Sequence, residues 1–183
     1  MRNLEAAWVW YDHSRTLLRL THRLGTRYWA ELDWDGPLGR DELFKHLEGD
    51  QIQEMAHLVL AEFDDLAIFV FFSVFESAVR QQVADDLASE ITGLKHPALQ
   101  RSARRMLQNI EEGSFYQNVL ELFKQDGREP GSLAVNSLVE EVSRVRRYRN
   151  WVAHGRKVKE RPSPMAPKDA HDTLQAFLTH IRR

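Results

Sequence analysis

Residues 66–87 read LAIFVFFSVFESAVRQQVADDL. Phe72, Phe75, Val79, Val83 and Leu87 recur at three and four, the spacing that gathers apolar side chains on one face of an α-helix. The most apolar part, Leu66 to Phe75, is ten residues long and is bracketed by Asp64, Asp65 and Glu76. Crossing a bilayer takes about 20 residues, so the stretch predicts a core helix and no membrane partner. Glu76 falls inside the apolar stripe, where a carboxylate needs a partner.

The helical spacing extends in both directions. Upstream it reaches Gln51, and downstream it reaches Ile91. One helix of that length would far exceed the mean, so a break near Asp64-Asp65 is expected. Leu4 to Leu24 is expected as a first helix stopped by Gly25, although Trp8-Val9-Trp10-Tyr11 also suits a strand. Gly25, Gly36, Pro37 and Gly39 mark loop, followed by a short helix from Arg40 to Glu48. Pro97 suits the first position of a helix running to about Ile110. Gly113 stops it, and Ser114 can cap a helix from Phe115 to Gln125. Gly127 to Gly131 reads as a turn, 132–154 as a strong helix ended by Gly155, and Asp169 to Ile181 as the last helix after a proline-marked loop. The expected fold is all-α: a compact up-and-down helical bundle over residues 61–183, with a helical extension over residues 1–60 packed on it as one unit.

Composition narrows the function classes. The 183 residues suit one domain, and 43% hydrophobic content is ordinary for a globular chain. There is no cysteine, which excludes disulfides and thiolate metal sites and fits a reducing, cytoplasmic setting. Residues 1–12 lack a basic leader followed by an apolar block, so no secretory signal is expected. The net charge of −2 conceals an asymmetry. Between Arg144 and Arg161 stand eight basic residues and one acid, a local excess of seven, so the remainder carries nine more acids than bases. Such a segment suits a polyanion, or alternatively a solvated helix end whose dipole favours cations. The histidines other than His154 show no ligand spacing on a common face, and no glycine-rich phosphate loop or nucleophile elbow is present. No metal or cofactor is expected. Trp8, Trp10, Trp29 and Trp34 read as packing residues.

The basic segment contains the chemistry. On a helical wheel Val135, Leu138, Val142, Val145 and Val152 form one stripe, and Arg149 falls in its middle. Its guanidinium can snorkel to solvent, pair with a buried acid, of which Glu76 is the natural candidate, or line a cleft that binds an anion. Asn150 and His154 are four apart and share a face, and Gly155 can take the left-handed conformation that ends a helix. His154 would then stand exposed at the terminus, with an imidazole that titrates near neutrality.

Arg149-Asn150-Trp151-Val152-Ala153-His154-Gly155 resembles the Arg-x4-6-His motif of the HEPN superfamily, with the polar residue that often follows the arginine. An earlier apolar helix carrying Phe75-Glu76-Ser77 and a short final helix agree with it, so the resemblance spans roughly Leu66 to the C-terminus. It implies a HEPN-type bundle and a homodimer in which two motifs meet across the interface to cleave RNA without a metal. It implies His154 as acid or base for 2′-hydroxyl attack, Arg149 as the group that neutralises the phosphorane, and Asn150 as an orienting amide, with Glu76 in support. Arg146, Arg147, Arg156, Lys157 and Lys159 would hold the RNA backbone. A toxin or phage-defence effector, with an antitoxin protein as partner, is the setting the family suggests. One branch carries a tyrosine two residues after the histidine; Arg156 stands there instead, so control through that tyrosine is not expected. Two other readings stay open: a HEPN-like module that binds RNA or a protein without cutting, and a dimerising helical scaffold in which Arg149 only pairs ions.

Overall fold

A computed structural model describes residues 3–124, 132–156 and 162–182. All regular structure among them is helical, and the fold is all-α. Six α-helices follow in order: α1 (Leu4–Arg23), α2 (Gly49–Gly93), α3 (Pro97–Glu112), α4 (Phe115–Asn118), α5 (Ser132–Ala153) and α6 (Pro167–Ile181). None of the described helices is long and apolar enough to cross a membrane. The chain divides into two compact units, Trp8–Ala67 on one hand and Met1–Ala7 with Ile68–Arg183 on the other.

The first of these, the hairpin unit, is an antiparallel pair made by α1 and the first part of α2. Trp8 to Tyr11 is helix, not strand. The Tyr11 hydroxyl donates to Asp64 Oδ1 at 2.8 Å, and Arg15 Nη2 donates to Asp64 Oδ2 at 3.0 Å. Tyr11 and Phe63 stack at 5.6 Å, and Trp10 packs on Phe63 at 5.3 Å. Gly25 does not stop the chain, because a π-helical turn carries it through Leu24–Tyr28. A Cβ at Gly25 would sit 2.6 Å from the Gly49 carbonyl oxygen and 2.9 Å from the Gln53 nitrogen, so this glycine permits backbone contact between the helices. The expected helix from Arg40 to Glu48 is a run of turns, in which the Asp41 carboxylate accepts the Leu43 and Phe44 amides.

The second is the bundle unit. Ile68, Phe71, Phe72, Phe75 and Val79 of α2 are buried, as are Ile110, Phe115, Val139, Val142, Val145, Leu174 and Phe177 from the other helices. Phe75 meets Phe115 edge-on at 5.9 Å and Phe177 at 5.6 Å. Each such ring contributes about 1.5–3 kcal/mol by burial, which makes this aromatic cluster the centre of the core.

Other elements depart from expectation. α2 is one helix of 45 residues without a break at Asp64-Asp65. Asp64 is drawn to Tyr11 and Arg15, so its carboxylate does not compete for the helix backbone. His96 Nδ1 caps α3 by accepting the Ala98 amide, with Pro97 at the first helical position. α4 has a single turn after its Ser114 cap, and a 3-10 turn over Leu120–Phe123 replaces the rest of the expected helix. Pro167 opens α6 two residues before the expected start. The expected turn at Gly127–Gly131 lies outside the described residues.

Candidate nucleic-acid interface

The buried stripe of α5 comprises Val135, Val139, Val142 and Val145, and it broadens at the C-terminal end to take in Tyr148 and Trp151. Two arginines stand on the same side, Arg146 and Arg149, one helical turn apart. Arg149 is half-buried. Its guanidinium carbon lies 4.9 Å from the centre of the Phe69 ring and 5.6 Å from that of Phe72, and its Nη1 donates to Asn150 Oδ1 at 3.0 Å. Arg146 lies over the Tyr116 ring at 4.4 Å. The Nε of each is buried without a hydrogen-bond acceptor.

Neither arginine pairs with a carboxylate among the described residues. The acid expected for Arg149 is engaged elsewhere: Glu76 Oε1 accepts from Arg80 Nη2 at 2.8 Å and from Arg80 Nε at 3.2 Å. Arg80 lies one turn along α2, so the pair forms within a single helix face, while Arg149 is held away on aromatic rings. Arg80 also donates to the Ile110 and Gly113 carbonyls and covers Phe115 at 5.3 Å. Glu76 thereby fastens α2 to the end of α3 and the start of α4. What offsets the two guanidiniums is the ring quadrupole, about 0.5–2 kcal/mol each, against the mutual repulsion of like charges one turn apart.

The end of α5 is built by backbone geometry. Gly155 takes φ 66° and Arg156 φ 60°. The Arg156 amide donates to the Trp151 carbonyl at 2.9 Å, and the Gly155 amide donates to the Val152 carbonyl at 3.0 Å. These two bonds define a Schellman cap. The Arg156 side chain closes it by lying 5.7 Å from the Trp151 ring. His154 is exposed, and its amide still donates to the Asn150 carbonyl at 3.0 Å, so the helix stays regular up to it. Over five residues of a regular helix the side chains of Arg149 and His154 diverge by about 140°. The structure therefore joins Arg149 to Asn150 and keeps His154 on another face of the same helix end.

Arg147 is exposed, and Arg144 stands 3.8 Å from Glu141. Lys157 and Lys159 lie outside the described residues. Among those described, no three His, Asp or Glu side chains group as metal ligands.

No protein-family model, curated protein or solved structure matches this chain.

Two neighbours of Arg146 are not visible in the helical spacing. Lys124 Nζ donates to the Tyr116 hydroxyl at 3.0 Å and stands 3.6 Å from Glu140. The Tyr116 bond, helped by Glu140, raises the lysine above its ordinary pKa. Tyr116 thus has Arg146 against its face and Lys124 at its hydroxyl, and the cationic surface extends beyond α5. A tyrosine and a lysine thirty and twenty-two residues away carry no periodic signal that links them to Arg146.

Proposed function

We propose that this chain is a metal-independent endoribonuclease of the HEPN type, acting in the cytoplasm as a homodimer with a composite site. The observation that carries the reading is the pair of half-buried guanidiniums, Arg146 and Arg149, on one face of α5 without a carboxylate partner among the described residues. A cation held in an apolar seam gains most from an incoming anion, because the local dielectric is low. Asn150 fixes the fork of Arg149 in advance, which lowers the ordering cost when phosphate arrives.

In the reaction, the ribose 2′-oxygen attacks phosphorus, the bond to the 5′-oxygen breaks, and a 2′,3′-cyclic phosphate and a 5′-hydroxyl result. One His154 takes the 2′ proton and a second, from the other subunit, delivers one to the leaving oxygen. Arg149 neutralises the charge that builds on the non-bridging oxygens, and Arg147, Arg156, Lys157 and Lys159 hold the flanking strand. Two copies are needed because Arg149 and His154 diverge within one. A role as a defence or toxin-type effector, held by an antitoxin protein, belongs to the same proposal.

The divergence of Arg149 and His154 equally favours a second reading, a module that grips RNA without cutting it. The two separate on one experiment. Wild type, Arg149→Ala and His154→Ala are incubated with total RNA in a chelator, and product ends are mapped. Cleavage to cyclic phosphate that falls by about 10²–10⁴ in His154→Ala supports the ribonuclease. Intact RNA with wild type, or equal cutting by the variant, defeats it; tight, salt-sensitive binding without cutting establishes the module instead.

A further inference from the structure

Tyr116, Lys124 and Arg146 meet at one point of the bundle unit from three parts of the chain. Tyr116 lies in α4, Lys124 follows the 3-10 turn at Leu120–Phe123, and Arg146 stands on α5. The Arg146 guanidinium carbon is 4.4 Å from the centre of the Tyr116 ring, and Lys124 Nζ is 5.3 Å from the same centre. Two positive charges thus share one half-buried ring. Like charges held this close repel, and an anion between them would relieve the repulsion. Donors are also left over. The Arg146 Nε is buried without an acceptor, and no carboxylate pairs with that guanidinium among the described residues. Lys124 Nζ donates to the Tyr116 oxygen at 3.0 Å, so the oxygen is the acceptor and the phenol keeps its own hydrogen to donate. The ammonium spends one of its three donors on that bond. The acids that act on Lys124 are Glu140, 3.6 Å away, and Glu121 farther off. The Glu140 side chain is 61% exposed, so water weakens its hold.

A guanidinium, a phenol and an ammonium around one ring form a donor set suited to phosphate oxygens. We propose that Tyr116, Lys124 and Arg146 are a phosphate subsite, which holds the RNA phosphate next to the one that Arg149 takes. Arg149 rests on Phe69 and Phe72 and Arg146 on Tyr116, so the two forks are held on different rings and serve two phosphates. The subsite rests on the reading of the α5 face as an RNA surface, and it needs binding only, not cleavage. It gives the strand a course, from Arg149 across Tyr116 to Lys124, off α5 and onto the segment that follows α4. Arg146 already covers one face of the Tyr116 ring, so that face is closed to a stacked base. Phosphate contacts fix register and carry no sequence information. The subsite therefore strengthens binding of every sequence alike.

The test uses the full chain and a single-stranded, 2′-O-methylated RNA oligonucleotide, which lacks the attacking hydroxyl and stays whole. Affinity is read by fluorescence anisotropy over a range of salt, and circular dichroism checks that each variant keeps its helices. Lys124→Met is expected to weaken binding several-fold and to flatten the slope of log affinity against log salt by about 0.7. Tyr116→Phe keeps the ring under Arg146 and removes only the phenol, so it is expected to cost about threefold with the slope unchanged. Glu140→Gln releases Lys124 and is expected to tighten binding. That gain should vanish when Lys124→Met is present as well, which a general change of surface charge would not produce. Lys124→Met and Tyr116→Phe variants that bind like wild type overturn the subsite and leave the α5 reading standing. So does a Glu140→Gln gain that survives in the Lys124→Met background. A wild type that does not bind the oligonucleotide overturns the α5 reading and the subsite with it.

Discussion

Arg149 occupies a position where the flanking valines of α5 would suit a leucine. Its charge rests on the faces of Phe69 and Phe72 with an amide at the fork and, among the described residues, no carboxylate paired with it. A residue placed for stability alone would not be chosen so, because an arginine with a buried, unbonded Nε gives up about 1–3 kcal/mol of hydrogen bonding. Arg149→Met keeps the stem and removes the charge. It is expected to hold or raise urea stability, by up to about 1 kcal/mol, while RNA affinity falls. A loss of more than that would make the guanidinium a structural group. The position of Arg149 was legible from the wheel alone, since one charge among apolar neighbours breaks the pattern. Its partner was not, because Glu76 had two arginines to choose from and only three-dimensional packing shows that Arg80 is nearer. Tyr11 offers a second test at this scale. Burial, reinforced by its bond to Asp64, pushes the Tyr11 phenol well above the ordinary value of about 10. Below that value the hydroxyl is protonated in folded and unfolded chains alike, and its contribution is complete. Above it the unfolded chain ionises first, so stability is lost as pH rises toward the folded pKa. Tyr11→Phe is expected to cost about 1 kcal/mol near neutrality and to flatten this alkaline decline. Parallel declines in denaturant titrations of the two proteins would show that another group is responsible.

At the scale of elements, the ends of helices proved easier to read than their lengths. Pro97, Gly113, Ser114 and Gly155 act through local backbone chemistry, and each stands at the boundary where the sequence places it. Lengths depend on partners far along the chain. α2 runs unbroken because Tyr11 and Arg15 engage Asp64, and the chain stays helical past Gly25 because Gly49 and Gln53 press against that glycine. Neither contact has a local signature. The helix end with most at stake is that of α5, where the cap sets the direction in which His154 leaves the helix. Alanine at Gly155 must adopt φ near 66° with a Cβ present, a cost of about 1 kcal/mol. Gly155→Ala is therefore expected to lower stability by about that amount and Gly155→Asn by distinctly less, since asparagine tolerates the left-handed region. Equal losses in urea unfolding would mean that the residue contributes through something other than its φ.

At the scale of the whole molecule, the proposed function requires that a chain of net charge −2 hold a polyanion. Screening makes that possible. At physiological salt the Debye length is about 8 Å, so a phosphate brought to α5 would respond chiefly to the charges nearest it, such as Arg146, Arg147 and Arg149, and little to charges farther off than that. Affinity for RNA should then fall steeply with salt in spite of the acidic total. Each arginine that contacts a phosphate of a single strand contributes roughly 0.7 to the slope of log affinity against log salt. Arg147 is exposed and without a carboxylate partner among the described residues, whereas Arg144 stands 3.8 Å from Glu141 and is partly neutralised before RNA arrives. The two residues differ by three positions in sequence, yet their alanine variants should separate. Arg147→Ala is expected to flatten the slope by about 0.7 and to weaken all RNA sequences alike, and Arg144→Ala to change it distinctly less. Salt titrations of the two variants against one unstructured oligonucleotide decide the matter. Equal slopes for both variants and wild type would mean that RNA, if bound at all, is held by a surface other than this face of α5.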